Sequence, residues 1–185
     1  HGDVKDVKEV ADLCARYAFT NAGQVCISCQ RVYVERPIYE KFCLAAKAYA
    51  QTLETGDLMQ ETTTLGPMIA EKEAVRIEAW VKEACEDGAK LLTGGTRSGA
   101  YFAPTILTDT KPGMKVICRE TFAPVFSIMP YDTIDEAIAA VNASTYGLQA
   151  GVFTSSLEIA HACAEKIQAG GVIINDGATF RMDNM

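Results

Sequence analysis

The chain has 185 residues, 49% of them hydrophobic, and its 17 basic and 24 acidic side chains give a net charge of −7. This is enough for one large globular domain. A membrane-spanning or secreted chain is disfavoured, because no apolar run is long enough to cross a bilayer and the first residues lack a basic region followed by an apolar block. Without any lysine and arginine cluster, the acidic balance also disfavours nucleic acid as a partner.

Helical and extended patterns alternate along the chain. The predicted helices cover residues 4–19, 37–55, 70–87, 134–142 and 157–168. The predicted strands cover residues 30–34, 90–93, 101–107, 125–130, 151–154 and 171–175. Thr133 is the predicted cap of the fourth helix, and Ser155 or Ser156 that of the fifth. This order predicts one α/β domain over residues 1–185, built in three layers from a largely parallel sheet covered by helices.

Seven cysteines and two histidines limit the possible chemistry. The cysteines are odd in number and lack the spacing of a disulfide framework, which favours a reducing cytoplasm. Cys26 and Cys29 form a C-x-x-C pair, but no second pair or histidine couple completes a zinc site, so we predict no metal. His1 is terminal and His161 lies in a predicted amphipathic helix. A cysteine nucleophile here is therefore not expected to use a histidine base.

The junction between the first helix and the first strand, residues 19–31, holds Gly23 and Cys26. Loops at such junctions expose reactive side chains. A cysteine thiolate attacks carbonyl carbons well, and Gly23 permits an unusual backbone turn just before it. From the residues alone, Cys26 and Cys29 are equally well explained as small buried side chains.

Three segments favour a reactive Cys26 over a merely structural one, because they occur together in a fixed order. They are Phe19-x-Asn21-x-Gly23-Gln24-x-Cys26 followed by Arg31, then Glu120-Thr121-Phe122-Ala123-Pro124-Val125, then Asn142-x-x-x-Tyr146-Gly147-Leu148. In order and spacing they resemble the catalytic, cysteine-bearing domain of the aldehyde dehydrogenase superfamily, and the resemblance extends over nearly the whole chain. Two positions depart from the commoner family pattern. Ala123 stands where glycine is usual, and Arg119 where an acid is frequent.

The resemblance implies a reaction and a site. Cys26 would add to an aldehyde as a thiohemiacetal, hydride would pass to NAD or NADP, and water would hydrolyse the resulting thioester to the acid. The backbone N–H of Cys26 would be one donor to the adduct's oxyanion. Glu120 would accept hydrogen bonds from the nicotinamide ribose, and Phe122 would pack beside the nicotinamide ring. Arg181 falls where the family has its substrate-mouth loop. A cation there would attract polar aldehydes, and the alternative interpretation is a solvated loop arginine.

The other residues of the first and third segments have structural interpretations. Asn21 and Gln24 are expected to shape the Cys26 loop. Asn142, Tyr146 and Gly147 are expected to form a turn between a helix and a strand. The sequence is most similar in form to enzymes of small polar aldehydes, the lactaldehyde and semialdehyde branches.

Several parts of the family's machinery lie outside this sequence. The half that binds most of the dinucleotide, with a Glu-Leu-Gly-Gly motif that supplies the general base, is not found, and neither is the extreme C-terminal segment. We therefore expect a domain that is inactive when isolated and that belongs to a longer, homo-oligomeric polypeptide. Two alternatives stay open. One is an acylating dehydrogenase in which coenzyme A replaces water, and the other is a non-catalytic interaction module that kept the fold.

Overall fold

The computed structural model describes residues 1–180. Its helices are α1 (Val7–Phe19), α2 (Arg36–Ala50), α3 (Glu71–Glu86), α4 (Lys115–Cys118), α5 (Ile134–Asn142) and α6 (Leu157–Lys166), and a 3₁₀ turn, Thr20–Gly23, follows α1. Its strands are β1 (Arg31–Glu35), β2 (Lys90–Thr93), β3 (Arg97–Ser98), β4 (Tyr101–Phe102), β5 (Thr105–Thr108), β6 (Val125–Tyr131), β7 (Gln149–Val152) and β8 (Gly171–Ile174). Helices and strands alternate through most of this order, as the sequence predicts.

The main sheet has four strands in the order β1-β6-β5-β2. β6 is parallel to both β1 and β5, whereas β2 runs antiparallel to β5 at the edge. Residues on the two faces of β6 belong to different hydrophobic clusters, because successive side chains in a strand point to opposite faces. Phe126 and Ile128 pack on one side with α1 and α2, and Val125 packs on the other side with α3 and α4. The sheet is therefore the middle layer of three, which confirms the predicted fold class.

A second, smaller sheet pairs β7 with β8 in parallel. Its own cluster of buried side chains comes from α5 and α6 and contains Ile138, Cys163 and Ile167. Residues of β1 and β7 line opposite parts of one cleft of about 400 Å³ between the two sheets. Three of the four sequence-predicted site residues, Cys26, Glu120 and Phe122, line this cleft.

Helix ends follow their capping side chains. Asp6 accepts from the backbone N–H groups of Lys8 and Glu9, so α1 begins at Val7 and not at the predicted residue 4. Thr133 caps α5 as predicted, and Ser156, not Ser155, caps α6. Each cap satisfies an N–H group that has no partner within its helix.

Two element predictions were wrong in detail, and one short helix was not predicted. The second helix ends at Ala50, several residues before the glycine at position 56 that was expected to stop it. The single strand predicted over residues 101–107 is interrupted at Pro104, which has no N–H to offer a sheet. The short helix α4 has no clear pattern in the sequence, because four residues are too few for a helical period.

Candidate active site

The Cys26 loop begins with an unusual backbone turn. Asn21, Ala22 and Gly23 have φ angles of 52°, 53° and 67°, the left-handed region that non-glycine residues rarely adopt. A β-carbon at Gly23 would overlap the backbone carbonyl of Ala123, so only glycine lets these two loops touch. The turn thus reverses the chain after α1 and brings residues 24–26 beside the segment that contains Ala123.

Amide side chains hold this turn in place. Asn21 Nδ2 donates to the Gln24 carbonyl at 3.1 Å, and Gln24 Nε2 donates to the Asn21 carbonyl at 3.3 Å. Gln24 Oε1 accepts from the backbone N–H of Ile69 at 2.8 Å, which ties the loop to the segment before α3. Both amides are therefore engaged with backbone groups, in keeping with the loop-shaping interpretation.

The two cysteines of the C-x-x-C pair differ in their surroundings. Cys26 is exposed, in a turn closed by a hydrogen bond from the Ser28 N–H to the Val25 carbonyl at 2.9 Å. Cys29 is half-buried and packs against the main hydrophobic cluster. A hydrogen bond with Cys29, together with burial, raises the pKa of the neighbouring Cys14 thiol. Of the pair, Cys26 is the more exposed thiol.

The segment between α4 and β6 presents the second group of predicted residues. Glu120 is exposed, Thr121 is only 2% exposed, and Phe122 is 41% exposed. Phe122 has a φ of 44°, a strained backbone conformation for an aromatic residue. Ala123 is buried against Gly23. Alternating burial therefore directs the side chains of Glu120 and Phe122 outward while the residues between and after them anchor the segment.

One cleft brings these residues together. Cys26, Glu120 and Phe122 all line the cleft of about 400 Å³ between the two sheets. Arg181, the fourth predicted site residue, lies outside the described residues. Tyr146, assigned to a turn from the sequence, also lines the cleft and is half-exposed. The adjacent Gly147 indicated a turn, but nothing in the local sequence showed that Tyr146 would also line a cleft.

Asn142 joins the ends of two helices. Its Nδ2 donates to the Lys166 carbonyl and its Oδ1 accepts from the Gln168 N–H, both at 2.8 Å. The end of α5 is thereby fastened to the end of α6. Asn142 is not among the residues that line the cleft.

Residues 1–180 contain no group of three or more His, Cys, Asp or Glu side chains arranged to hold a metal ion. In the same part of the chain, every helix is too short or too polar to cross a membrane.

The described residues thus form a three-layer α/β fold in which an exposed cysteine follows a left-handed turn and lines the same cleft as a carboxylate. The chain belongs to the aldehyde dehydrogenase family, whose family model matches residues 2–185. Among curated relatives, a 3-sulfolactaldehyde dehydrogenase of Priestia aryabhattai is 49% identical over 180 residues, which cover 97% of this chain and 38% of the relative. A lactaldehyde dehydrogenase of Methanococcus maripaludis is 37% identical over 180 residues, which cover the same shares of the two chains.

A solved structure agrees with these relatives. The glyceraldehyde-3-phosphate dehydrogenase of Methanocaldococcus jannaschii, crystallised with NADP, superposes with a TM-score of 0.93 at 37% identity. The match covers 99% of this chain and 40% of that one. The chain thus spans about two fifths of the length of the proteins it matches, and it corresponds to one part of them.

Proposed function

We propose that this chain is the catalytic domain of an NAD(P)-dependent dehydrogenase that oxidises a small polar aldehyde to its acid through Cys26. The observation that carries the proposal is the exposed Cys26 thiol in the same cleft as Glu120 and Phe122. A nucleophile needs access to its substrate, and the hydride that leaves the adduct needs an acceptor held nearby. One cleft that contains both kinds of residue meets the two requirements.

The chemistry of Cys26 follows from the aldehyde's lack of a leaving group. The thiolate sulfur bonds to the carbonyl carbon, and the carbonyl oxygen becomes an oxyanion, for which the Cys26 backbone N–H is a preorganised donor. The adduct then collapses by loss of hydride, which leaves a thioester on Cys26. Water releases the acid and regenerates the thiol. The turn over residues 21–23 precedes Cys26 and is proposed to orient its loop for these steps.

The residues in the cleft fit the nicotinamide end of a dinucleotide. Glu120 is an exposed carboxylate with two acceptor oxygens, which suits the vicinal hydroxyls of a ribose. Phe122 offers an aromatic face that is 41% exposed beside it. When bound, the nicotinamide supplies the hydride acceptor. Glu120 and Phe122 are proposed to orient it.

The remainder of the machinery is proposed to come from elsewhere in a longer polypeptide. Residues 1–185 would form one domain, and a dinucleotide-binding half would bind the rest of NAD or NADP and supply the general base. The relatives' much greater length supports this division. By resemblance, the whole polypeptide is a homo-oligomer. Its proposed compartment is the cytoplasm, since all seven cysteines are free thiols.

The proposed substrate class is a short aldehyde with a polar or anionic group. The relatives named for 3-sulfolactaldehyde and lactaldehyde support it, since both names denote short aldehydes with polar substituents. By resemblance to the family's substrate-mouth loop, Arg181 is proposed to attract the substituent.

The test compares the unaltered sequence with Cys26→Ala in the full-length polypeptide, with 3-sulfolactaldehyde, lactaldehyde and succinic semialdehyde as substrates. We expect the substitution to lower kcat by at least about 10³-fold, because no other group forms the covalent adduct. The 185-residue chain alone should reduce no more dinucleotide than its own Cys26→Ala variant. The Cys29→Ala variant is the matched control and should retain most activity.

Product identity separates the proposal from its competitors. Mass spectrometry should detect the free acid whether or not coenzyme A is present. Formation of acyl-CoA alone would assign an acylating enzyme. Unchanged turnover in Cys26→Ala would reject the proposed mechanism, and robust turnover by the 185-residue chain would reject the need for a second half.

A further inference from the structure

The short segment that carries Glu120 and Phe122 is held by two side chains from other elements. We propose that Gln30 and Arg76 are positioning residues that clamp the peptide groups of Thr121 and thereby fix Glu120 and Phe122 in the cleft. The consequence for the affinity of the nicotinamide dinucleotide rests on the proposed function of Glu120. The clamp itself rests only on contacts within the chain.

Gln30 holds the segment from the side of the sheet. Its Nε2 donates to the carbonyls of Val116 at 3.0 Å and Arg119 at 2.6 Å, and its Oε1 accepts from the Thr121 N–H at 3.0 Å. The Gln30 carbonyl accepts from the Ser127 N–H at 2.9 Å, so its backbone is itself fixed in the main sheet. One amide thus ties α4 and the segment after it to the start of β1.

Arg76 holds the same residue from the other side. Its Nη2 donates to the Thr121 carbonyl at 2.7 Å, and its Nε donates to Glu73 Oε2 at 2.7 Å. The guanidinium also lies 4.6 Å from the centre of the Trp80 ring, within cation–π range. Glu73, Arg76 and Trp80 all belong to α3. Contacts within this helix therefore orient the guanidinium plane independently of its bond to Thr121.

The clamp explains how Phe122 keeps its strained backbone. A left-handed non-glycine residue costs about 1–3 kcal/mol and persists only where its surroundings determine it. Thr121 is buried with its N–H and its C=O each bonded to one of the two clamping side chains. Gln30 follows Cys26 by four residues, so the same amide also fixes the segment relative to the Cys26 loop.

The test uses two variants. Gln30→Leu removes three hydrogen bonds while the side-chain volume stays similar, and Arg76→Lys keeps the positive charge but cannot bond to Glu73 and Thr121 through two nitrogens of one planar group. Hydrogen–deuterium exchange in the 185-residue chain is the first measurement. Exchange in peptides that contain the Thr121 amide should accelerate about threefold to tenfold in each variant, since each loses at least one net-stabilising hydrogen bond. Exchange in β5 should not change.

Arg97→Lys is the matched control. Arg97 also uses a guanidinium fork on α3 carboxylates, Glu71 and Glu78, yet none of its bonds reaches the segment 119–125. It should leave exchange at Thr121 unaltered. The two clamp variants lie in different elements. If one of them fails to fold, exchange at Thr121 in the other still tests the clamp.

Kinetics of the full-length polypeptide give the second measurement. The KM for NAD(P) should rise about threefold to tenfold in both clamp variants, with a smaller change in kcat and none in the KM for the aldehyde. Unchanged exchange at Thr121 in both variants overturns the clamp. Faster exchange with an unchanged KM for NAD(P) overturns the link to the cofactor and rejects the proposed contact of Glu120, while the clamp stands.

Discussion

At the scale of single residues, the candidate site depends on Gly23 more than on any other backbone position. Its φ of 67° and the absence of a side chain let it lie against the Ala123 carbonyl. That contact joins the loop of Cys26 to the segment of Glu120. A side chain at this position would force the two loops apart and displace both the Cys26 loop and the Glu120 segment.

We therefore expect Gly23→Ala to lower the free energy of unfolding by about 2 kcal/mol or more, from the left-handed φ and the overlap together. Urea unfolding measures this change. Gly113→Ala is the control, because a β-carbon there meets nothing within 4 Å, and it should stay within about 0.5 kcal/mol of the unaltered chain. Equal stability of the two variants would contradict the close contact between the loops.

The sequence predicted some of these residues for clear physical reasons. Gly23 before Cys26 indicated an unusual turn, since glycine tolerates left-handed backbone. Ala22 and Phe122 gave no such signal, because neither residue favours the conformation it adopts. Contacts between distant segments impose those conformations. The bonds from Gln30 and Arg76 to Thr121 span 91 and 45 residues, and no local pattern reports them.

At the scale of elements, side chains fasten the segment before α1 to the turn between β7 and α6. Asp3 accepts from Thr154 Oγ1 at 2.8 Å and from the Ser155 N–H at 3.1 Å. Burial alone would raise the pKa of this carboxyl, but hydrogen bonds from Thr154, His1 and Ser155 outweigh it and lower the pKa from 3.8 to about 2. The ionised form is therefore the form that the native state prefers.

This preference has a defined pH window. Because the folded pKa lies below the unfolded value, the stabilisation is complete above about pH 4 and is lost as the pH falls towards about 2. We expect Asp3→Asn to lower the free energy of unfolding by about 1 kcal/mol at pH 6 and to differ less from the unaltered chain at pH 3. Urea unfolding at both values checks it, with the exposed loop variant Glu61→Gln as control. A difference independent of pH would contradict the assignment.

Element boundaries were less predictable than element types. The order of helices and strands followed from periodicity and from capping residues such as Thr133 and Ser156. Nothing in the local sequence marks the end of the second helix at Ala50. The antiparallel direction of the edge strand β2 depends on its pairing with β5, which the local sequence does not specify.

At the scale of the whole molecule, the two sheets differ in how well they are supported. The four-stranded sheet is covered on both faces by large clusters, whereas β7 and β8 share a cluster with only three buried side chains among the described residues. Within residues 1–180, β1 pairs only with β6 and β7 pairs only with β8, and both border the cleft. Each therefore carries one edge of backbone groups without a strand partner.

A two-stranded sheet with an open edge has little stability of its own. In the 185-residue chain, we expect amides of β7 and β8 to exchange at least about tenfold faster than those of β5 and β6, since local opening there disrupts a smaller core. Hydrogen–deuterium exchange of the full-length polypeptide is the comparison. If its other half pairs with these edges, protection of β7 should rise while protection of β5, already central in its sheet, stays the same. Equal protection of both sheets in the short chain would mean that the small cluster and α5–α6 packing suffice, and that the cleft edges need no further strand.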